Sequence, residues 1–416
     1  MADNSPPELR DQEVTRSDDQ AGQGQPAAAA PLPPDPSRRP GARSGTEMPR
    51  AGAAATGWHA DSAQRDCQPQ RQVPFNRQAF AAIDLGTNNC RLLIARPAGD
   101  HFTVIDAFSR VVRLGEGLAH SGRLSDAAME RTLGALKVCA DKLQRRNVHL
   151  ARSVATEACR RAENGAEFID RVACETGILL DIISAKEEAR LAVMGCHLLL
   201  EEGDGPAIIF DIGGGSTELV LVENRAGMPP QIHDWQSVPW GVVSLTESCP
   251  PEPADALGRA ARYDLMCQLV QDSLAPFAER MRDAVTKVAP AQPLRLLGTS
   301  GTVTTLASLH LGLPQYDRRA VDGLIVSSEE MSQLCHRLAL MSPAERCAQP
   351  CIGRERADLV VAGCAILQTI FALWPADRLG VADRGIREGI LRSMMAAGGA
   401  GDKSRAALRN ARRGQI

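Results

Sequence analysis

Aromatic side chains make up only 3% of this 416-residue chain. Its core has to be assembled from Leu, Val, Ile and Ala rather than from rings. Lysine is scarce too: five of the 47 basic residues are Lys and the rest are Arg. Against 50 acidic residues this leaves a net charge of −3, which excludes a polybasic DNA-coating protein and a strongly acidic tail protein. Twelve cysteines occur without any Cys-x-x-Cys; the closest pair is Cys347 and Cys351, and the others are scattered through apolar stretches. That pattern argues against zinc and describes buried free thiols in a reducing compartment. The eight His have no metal spacing. There is no Gly-Lys-Ser or Gly-Lys-Thr and no Gly-x-Ser-x-Gly. Apolar stretches reach only about ten residues, too short to span a bilayer. The opening MADNSPPELR has no apolar segment of a secretory signal. These absences lead us to expect a cytoplasmic protein that engages neither DNA nor membrane.

Residues 1–78 hold 11 of the 26 prolines, and their apolar residues are isolated. Such a segment cannot bury enough surface to offset its chain entropy, so it reads as a disordered tail. Residues 398–416 are polar and read as a loose tail. Between them strands alternate with helices, the grammar of an α/β protein. AAIDLGTNNCRLLIA (81–95) reads as strand, Gly turn and strand, and 101–114 continues in β manner. Residues 125–147 read as a helix that Ser125 caps, with Met129, Leu133, Leu136, Ala140 and Leu143 on one face. Val148 to Ala155 reads as a strand. Asn164 and Glu167 have the spacing of a capping box at the start of a further helix. A strand over 179–185 and a helix over 186–202 follow.

IIFDIGGGSTELVLV (208–222) repeats the grammar of 81–95 at a constant offset of 127 residues. Asp211 matches Asp84, Gly213 matches Gly86 and Ser216 matches Asn89. A repeat of that size indicates a duplicated domain and two similar α/β halves around a cleft. In each copy an apolar strand carries a carboxylate to its end and a Gly turn follows. Glycines expose backbone N–H groups and admit a phosphate closely, and the Asp can hold a divalent cation or its water. Two such turns in one duplicated frame, one with Gly213, Gly214 and Gly215 followed by Ser216, point to phosphate binding.

Three further segments can carry chemistry. LLGTSGTVTTLA (296–307) runs a strand through Gly298, Thr299, Ser300 and Gly301 into a helix, whose N-terminus attracts anions; an ordinary strand-to-helix turn looks the same. Arg160 and Arg161 lie between a strand and a helix, as a phosphate clamp or as surface ion-pair partners. In KEEAR (186–190), Glu187 and Glu188 complement a helix dipole, or one of them orients a water for attack on phosphorus. His233 and Asp234 stand in what reads as a loop and are taken as structural.

Together these segments resemble the Ppx/GppA phosphatase family of exopolyphosphatases and guanosine pentaphosphate phosphohydrolases, within the sugar kinase, Hsp70 and actin superfamily. The resemblance covers roughly residues 80–395. It includes RLGEGLAHSGRLS (113–125), VATEACRRAENGAEF (154–168), IISAKEEARLAVMG (182–195), VPWGVVSLTE (238–247), RADLVVAGCAIL (356–367) and ADRGIREGIL (382–391), besides the segments above. It implies two actin-like (ribonuclease H-like) α/β domains. The first spans 79–191 and recovers a C-terminal helix near 384–397; the second spans 192–383. It implies that Glu188 activates water, that Arg160 binds the scissile phosphate, and that Asp84, Asp211 and Glu218 hold Mg²⁺ or its waters. Gly86, Thr87, Asn88, Gly213, Gly214, Gly215 and Ser216 match the phosphate-cradling turns, and Gly298 to Gly301 the turn that faces the nucleotide in kinase relatives.

The expected activity is Mg²⁺-dependent hydrolysis of terminal phosphate from inorganic polyphosphate. Release of the 5′ phosphate from guanosine pentaphosphate (pppGpp) is the alternative within the family. The chain runs about 25 residues past 382–391 and lacks the further helical domains of longer members, so the resemblance is to the short form, suited to shorter polyphosphate or to pppGpp. A phosphotransferase using ADP or ATP is disfavoured by a water-activating Glu188. A non-catalytic sensor of guanosine polyphosphates would bind tightly without turnover. Family members are often dimers, so a homodimer is the expectation for assembly.

Overall fold

A computed structural model of the chain describes residues 74–99, 101–201, 203, 205–224, 230–288 and 294–398. The tails expected over 1–78 and 398–416 fall almost wholly outside these residues. The first half holds β1 (Ala79–Leu85), β2 (Asn89–Ala98), β3 (His101–Val111), β4 (Val148–Ala155) and β5 (Leu180–Ile182). They form one sheet in the order β3-β2-β1-β4-β5. β1 pairs antiparallel with β2 and parallel with β4. The second half holds β6 (Gly205–Ile212), β7 (Thr217–Asn224), β8 (Gln231–Val238), β9 (Arg295–Thr299), β10 (Ile325–Ser327) and β11 (Arg378–Ala382). Their order is β10-β11-β9-β6-β7-β8. β6 again pairs antiparallel with the next strand and parallel with β9. The repeat in the sequence is therefore a repeat in topology: a hairpin followed by a parallel crossover.

Side chains alternate across the central strands. On one face of the first sheet Ile83, Leu85, Leu92 and Ile94 pack with Leu133, Leu136 and Cys139 of the helix Asp126–Arg145 and with Phe168 and Val172 of the helix Gly165–Thr176. On the other face Phe80, Ala82 and Leu93 meet Leu191 and Ala192 of the helix Ala185–Cys196, and Ile386, Ile390 and Leu391 of a helix over 386–398. The last helix thus follows β11 of the second sheet but packs on the first. In the second half Ile208, Phe210, Leu219 and Leu221 pack with Met266, Val270 and Phe277 of the helix Ala256–Val288 and Ile366 and Ile370 of the helix Val360–Leu373. Each buried Leu, Ile, Val, Met or Phe among these contributes about 1.5–3 kcal/mol relative to an exposed one.

One helix belongs to both halves. Leu191 and Ala192 of Ala185–Cys196 face the first sheet, while Ala189, Val193 and Cys196 of the same helix join Ala207, Ile209, Val220 and Val222 of the second. Its contact with the C-terminal helix is closed by glycine. A Cβ on Gly195 would stand 1.9 Å from the carbonyl oxygen of Gly385, and one on Gly389 would stand 2.0 Å from that of Leu191. Any larger residue has to part the two segments.

Local expectations are met unevenly. Ser125 caps its helix by accepting from Ala128 N–H at 3.3 Å. Asn164 stands at a helix N-terminus without capping it. Its amide instead accepts from Leu124 N–H at 2.8 Å and donates to Leu124 O at 3.0 Å. The helix expected over 186–202 ends at Cys196, where a 3-10 turn takes over. His233 and Asp234 lie in β8 rather than in a loop, paired with Glu223 at 3.0 Å and Arg280 at 3.0 Å. The described cysteines are free, and most are buried. Among the described residues no helix is long and apolar enough to cross a membrane.

Candidate active site

The two repeated turns form the floor of the site. Gly86 N–H donates to Asn89 O at 2.9 Å, and 127 positions later Gly213 N–H donates to Ser216 O at 2.9 Å. The turns face each other closely. A Cβ on Gly214 would lie 3.0 Å from Asn88 N, and one on Gly215 would lie 2.6 Å from Thr87 Oγ1. Gly214 and Gly215 leave the room that this approach needs, while a Cβ on Gly213 would meet Ser216 O of its own turn at 2.8 Å. Asp84 Oδ1, Thr87 Oγ1 and Asn88 Oδ1 are buried here without a hydrogen-bond partner. An unpaired buried polar atom costs about 1–3 kcal/mol. These three are placed to meet a polar ligand.

Above the turns is a cavity of about 120 Å³ between the two sheets. It is lined by Asp84, Gly86, Thr87, Asn88, Glu188, Asp211, Gly213, Gly214, Gly215, Ser216, Glu218, Ser300 and Gly301. Residues from four separate stretches of sequence thus converge. Gly298 does not line it. That residue lies inside β9, where a Cβ would meet the Phe210 ring at 2.7 Å, so its smallness serves packing. Ser300 has φ 87° at the turn between β9 and the helix Gly301–His310, and its hydroxyl donates to Ile212 O at 2.5 Å.

The helix Ala185–Cys196 separates the two acids of KEEAR. Ser184 Oγ caps it by accepting from Glu187 N–H at 3.2 Å. The Glu187 side chain turns outward to Arg190 at 2.7 Å and Arg152 at 3.1 Å. Glu188 turns into the cavity and is only 6% exposed. Arg160, on the short helix Glu157–Arg161, stands behind it rather than in the cavity wall. Its Nη1 donates to Glu188 Oε2 at 3.1 Å and to Ile183 O at 2.8 Å, while Nη2 donates to Glu157 Oε2 at 2.5 Å. Arg161 points elsewhere, 3.9 Å from Glu157 and half-exposed.

The buried acids share one electrostatic problem. Burial pushes the Asp84 carboxyl up, and Arg91 and Arg387 oppose it. Burial and the neighbouring Asp84 push Asp211 up to about 6, against Arg91 and a hydrogen bond from Ser300. Burial and Asp211 push Glu218 up to about 7, although Ser216 and Ser237 both donate to it. Burial and Glu218 raise Glu188 well above the usual carboxylate range, with Arg160 opposing. Buried carboxylates that crowd one another in this way favour a cation among them.

Three charged cavity residues escaped the sequence reading. Arg91, Glu157 and Arg356 all line the site. Arg91 and Arg356 both approach Gly301: from the place of a Cβ there, Arg91 Nη2 is 3.8 Å away and Arg356 Nη1 is 4.0 Å. Two guanidinium groups at a helix N-terminus make an anion-binding corner.

The sequence profile of the Ppx/GppA phosphatase family matches residues 93–397. The chain belongs to this family. Its similarity extends to exopolyphosphatase 2 of Mycobacterium tuberculosis, 30% identical over 327 residues, which cover 76% of this chain and 98% of that protein. An exopolyphosphatase from Cytophaga hutchinsonii is 26% identical with a TM-score of 0.68, the match covering 77% of this chain and 98% of that one. The Aquifex aeolicus member of the family is 27% identical with a TM-score of 0.60, over 77% and 98% of the two chains. These neighbours share the fold described above, a mixed α/β architecture of the actin-like type.

Proposed function

We propose that this Ppx/GppA family member hydrolyses phosphoanhydride bonds, removing terminal phosphate from inorganic polyphosphate with water as the acceptor. The observation that carries the reading is the placing of Glu188: an inward, buried carboxylate held at 3.1 Å by Arg160 beside the two Gly turns. Ionised Glu188 takes a proton from water, and the water oxygen forms a bond to the terminal phosphorus. The bridging P–O bond breaks, and its electrons leave with the shortened chain. The N–H groups of the two Gly turns stabilise the charge on the phosphoryl oxygens, and Arg160, behind Glu188, orients that carboxylate and adds positive charge from outside the cavity wall.

A divalent cation fits the residues present. Asp84 Oδ1 is buried without a partner, Asp211 and Glu218 stand above their ordinary range, and every donor is oxygen. Among the described residues no three acidic, His or Cys side chains come close enough to ligate a metal by themselves. Mg²⁺ suits an all-oxygen set of this kind, because it keeps several waters and shares its shell with substrate phosphates. Asp84, Asp211 and Glu218 would hold it, directly or through water, and it would neutralise charge on the phosphates.

A second reading has its own observation. Ile212, Val242, Leu359, Val360 and Ile386 make part of the cavity wall apolar. A bare phosphate chain has no use for such a wall, whereas a nucleotide base does. That favours pppGpp as a substrate beside polyphosphate. Phosphate release with Mg²⁺ from long polyphosphate, short polyphosphate and pppGpp, measured side by side, tests both readings. Preference for either polyphosphate supports the first, and preference for pppGpp supports the second. Tight binding without release from any of the three overturns both and leaves a sensor.

A further inference from the structure

Glu157 borders three cavities. One is the site itself. Another, beside Gly115, Ala119 and Glu247, measures about 10 Å³ and holds one water at most. The third is a recess of about 470 Å³ that opens to the surface between Ala185, Trp235, Gln236, Ser237 and Pro239. Its separation from the site is one side chain thick at Glu157 and two side chains thick at Glu218 and Ser237. Glu157 lines both spaces. Glu218 lines the site, and its Oε1 accepts from Ser216 Oγ at 2.7 Å on the site wall and from Ser237 Oγ at 2.8 Å on the recess wall. Arg91, Arg356, Leu359 and Val360 line the site alone.

We propose that this recess is the exit for product orthophosphate. The proposal rests on the hydrolytic reading above, with either substrate. Hydrolysis leaves orthophosphate at Glu188 and Glu218, while the remaining chain or nucleotide still fills the other part of the site. Leaving by the entrance would require the larger product to go first. The recess lies on the acid side and bypasses it. Its size decides between the two neighbouring cavities: 470 Å³ admits phosphate and its water, and 10 Å³ does not. Basic residues accompany the path. Arg160 is bound to Glu157 at the boundary, and Arg280 holds Gln236 at 3.0 Å on the rim. Orthophosphate passes when it replaces Glu157 as the partner of Arg160.

Ala185→Trp, on the helix Ala185–Cys196, and Gln236→Trp, on β8, narrow the recess and leave every acid and Arg160 in place. Single-turnover cleavage of short polyphosphate with Mg²⁺ is followed by acid quench, and free phosphate by a fluorescent phosphate-binding sensor in stopped flow. In both variants quenched product should form within twofold of the unaltered rate, while free phosphate appears at least tenfold more slowly. Release that keeps pace with cleavage in both variants, with melting temperatures unchanged, would overturn the exit. An unaltered protein that forms no quenched product from polyphosphate or pppGpp would instead remove the hydrolytic reading, and the exit with it.

Discussion

Arg91 and Glu218 hold the same place in the two halves of the fold with opposite charge. Arg91 stands directly across the β1–β2 pair from Asp84, and Glu218 stands directly across β6–β7 from Asp211. Duplication made the two aspartates equal, and their cross-strand partners make them different. The first half receives a fixed cation, which opposes the upward push of burial on the carboxyls of both Asp84 and Asp211. The second receives a further acid. The site thereby receives a fixed positive charge from its first half and an additional acid from its second.

Replacing Arg91 by Met should weaken substrate binding more than it slows the chemistry. A hydrogen bond to a charged group is worth about 1.5–3 kcal/mol, so KM should rise about tenfold or more with kcat within threefold. Steady-state kinetics on short polyphosphate check this. An unchanged KM would remove Arg91 from the anion-binding corner.

Glu188→Ala should lose turnover by about 10²–10⁴-fold, the usual contribution of a positioned general base, while ligand binding is largely kept. Calorimetric titration with a non-hydrolysable phosphate chain separates the two effects. Turnover close to that of the unaltered protein would sink the assignment of Glu188.

Stability in the presence of a chelator should fall as pH rises from about 4.5 to 8. Asp211 and Glu218 ionise at about 6 and about 7 in the folded protein, against ordinary values of 3.8 and 4.5. Through that window the folded state binds more protons than the unfolded one, so the stability gained by protonation is full at low pH and is lost through the raised values. Asp106 and Glu187, whose carboxyls are held low by Lys142 and Arg190, act with the opposite sign below this window. Thermal melting at pH 5 and pH 8 should differ by several degrees, and Asp211→Asn should narrow the gap. Mg²⁺ should stabilise more at pH 8 than at pH 5, because the acids must be ionised to hold it. A melting temperature that rises across the window would contradict the assignment.

Arg346→Ala should cost about 3 kcal/mol or more, measured as a shift in the urea midpoint. The Arg346 side chain is fully buried. It donates to Glu252 at 2.5 Å, to Met341 O at 2.7 Å and to Ala357 O at 2.8 Å. Its loss leaves an acid and two carbonyls without their donor. Ala357 follows Arg356, so KM should rise as well. A stability change below 1 kcal/mol would show that the loop finds other partners.

Gly195→Ala should destabilise by about 3 kcal/mol, the upper range for an overfilled contact, and should lower kcat. The added methyl meets a backbone carbonyl at 1.9 Å, and backbone cannot swing aside. Glu188 lies two turns earlier on the same helix and moves with it. Full activity with an unchanged melting temperature would mean that the helices can part freely.

Much of the architecture is legible in the sequence because it is written locally. The two Asp-x-Gly turns announce themselves through their common offset, and Glu188 emerges from a strand-to-helix junction that Ser184 caps. Arg91 is hidden because a charged residue in a strand also reads as the solvent side of an alternating pattern. Arg356 is hidden because its loop reaches the first half only through folding, 265 positions further along the chain. Glu157 reads as a helix-starting acid, and its contact with Arg160 is one turn of local chemistry whose direction only the backbone decides. Asn164 is the converse case: the capping pattern is present, but the loop at Leu124 offers its amide two bonds at once.

The placing of Ile386, Ile390 and Leu391 over Phe80 and Leu93 sets an order of events during synthesis. The ribosome finishes the entire second sheet before it delivers the residues that complete the first. A nascent chain halted anywhere before 386 exposes apolar surface of its earliest strands and is open to chaperones and proteases. The two halves, alike in topology, cannot mature independently, and the catalytic cleft comes into being only with the last part of translation.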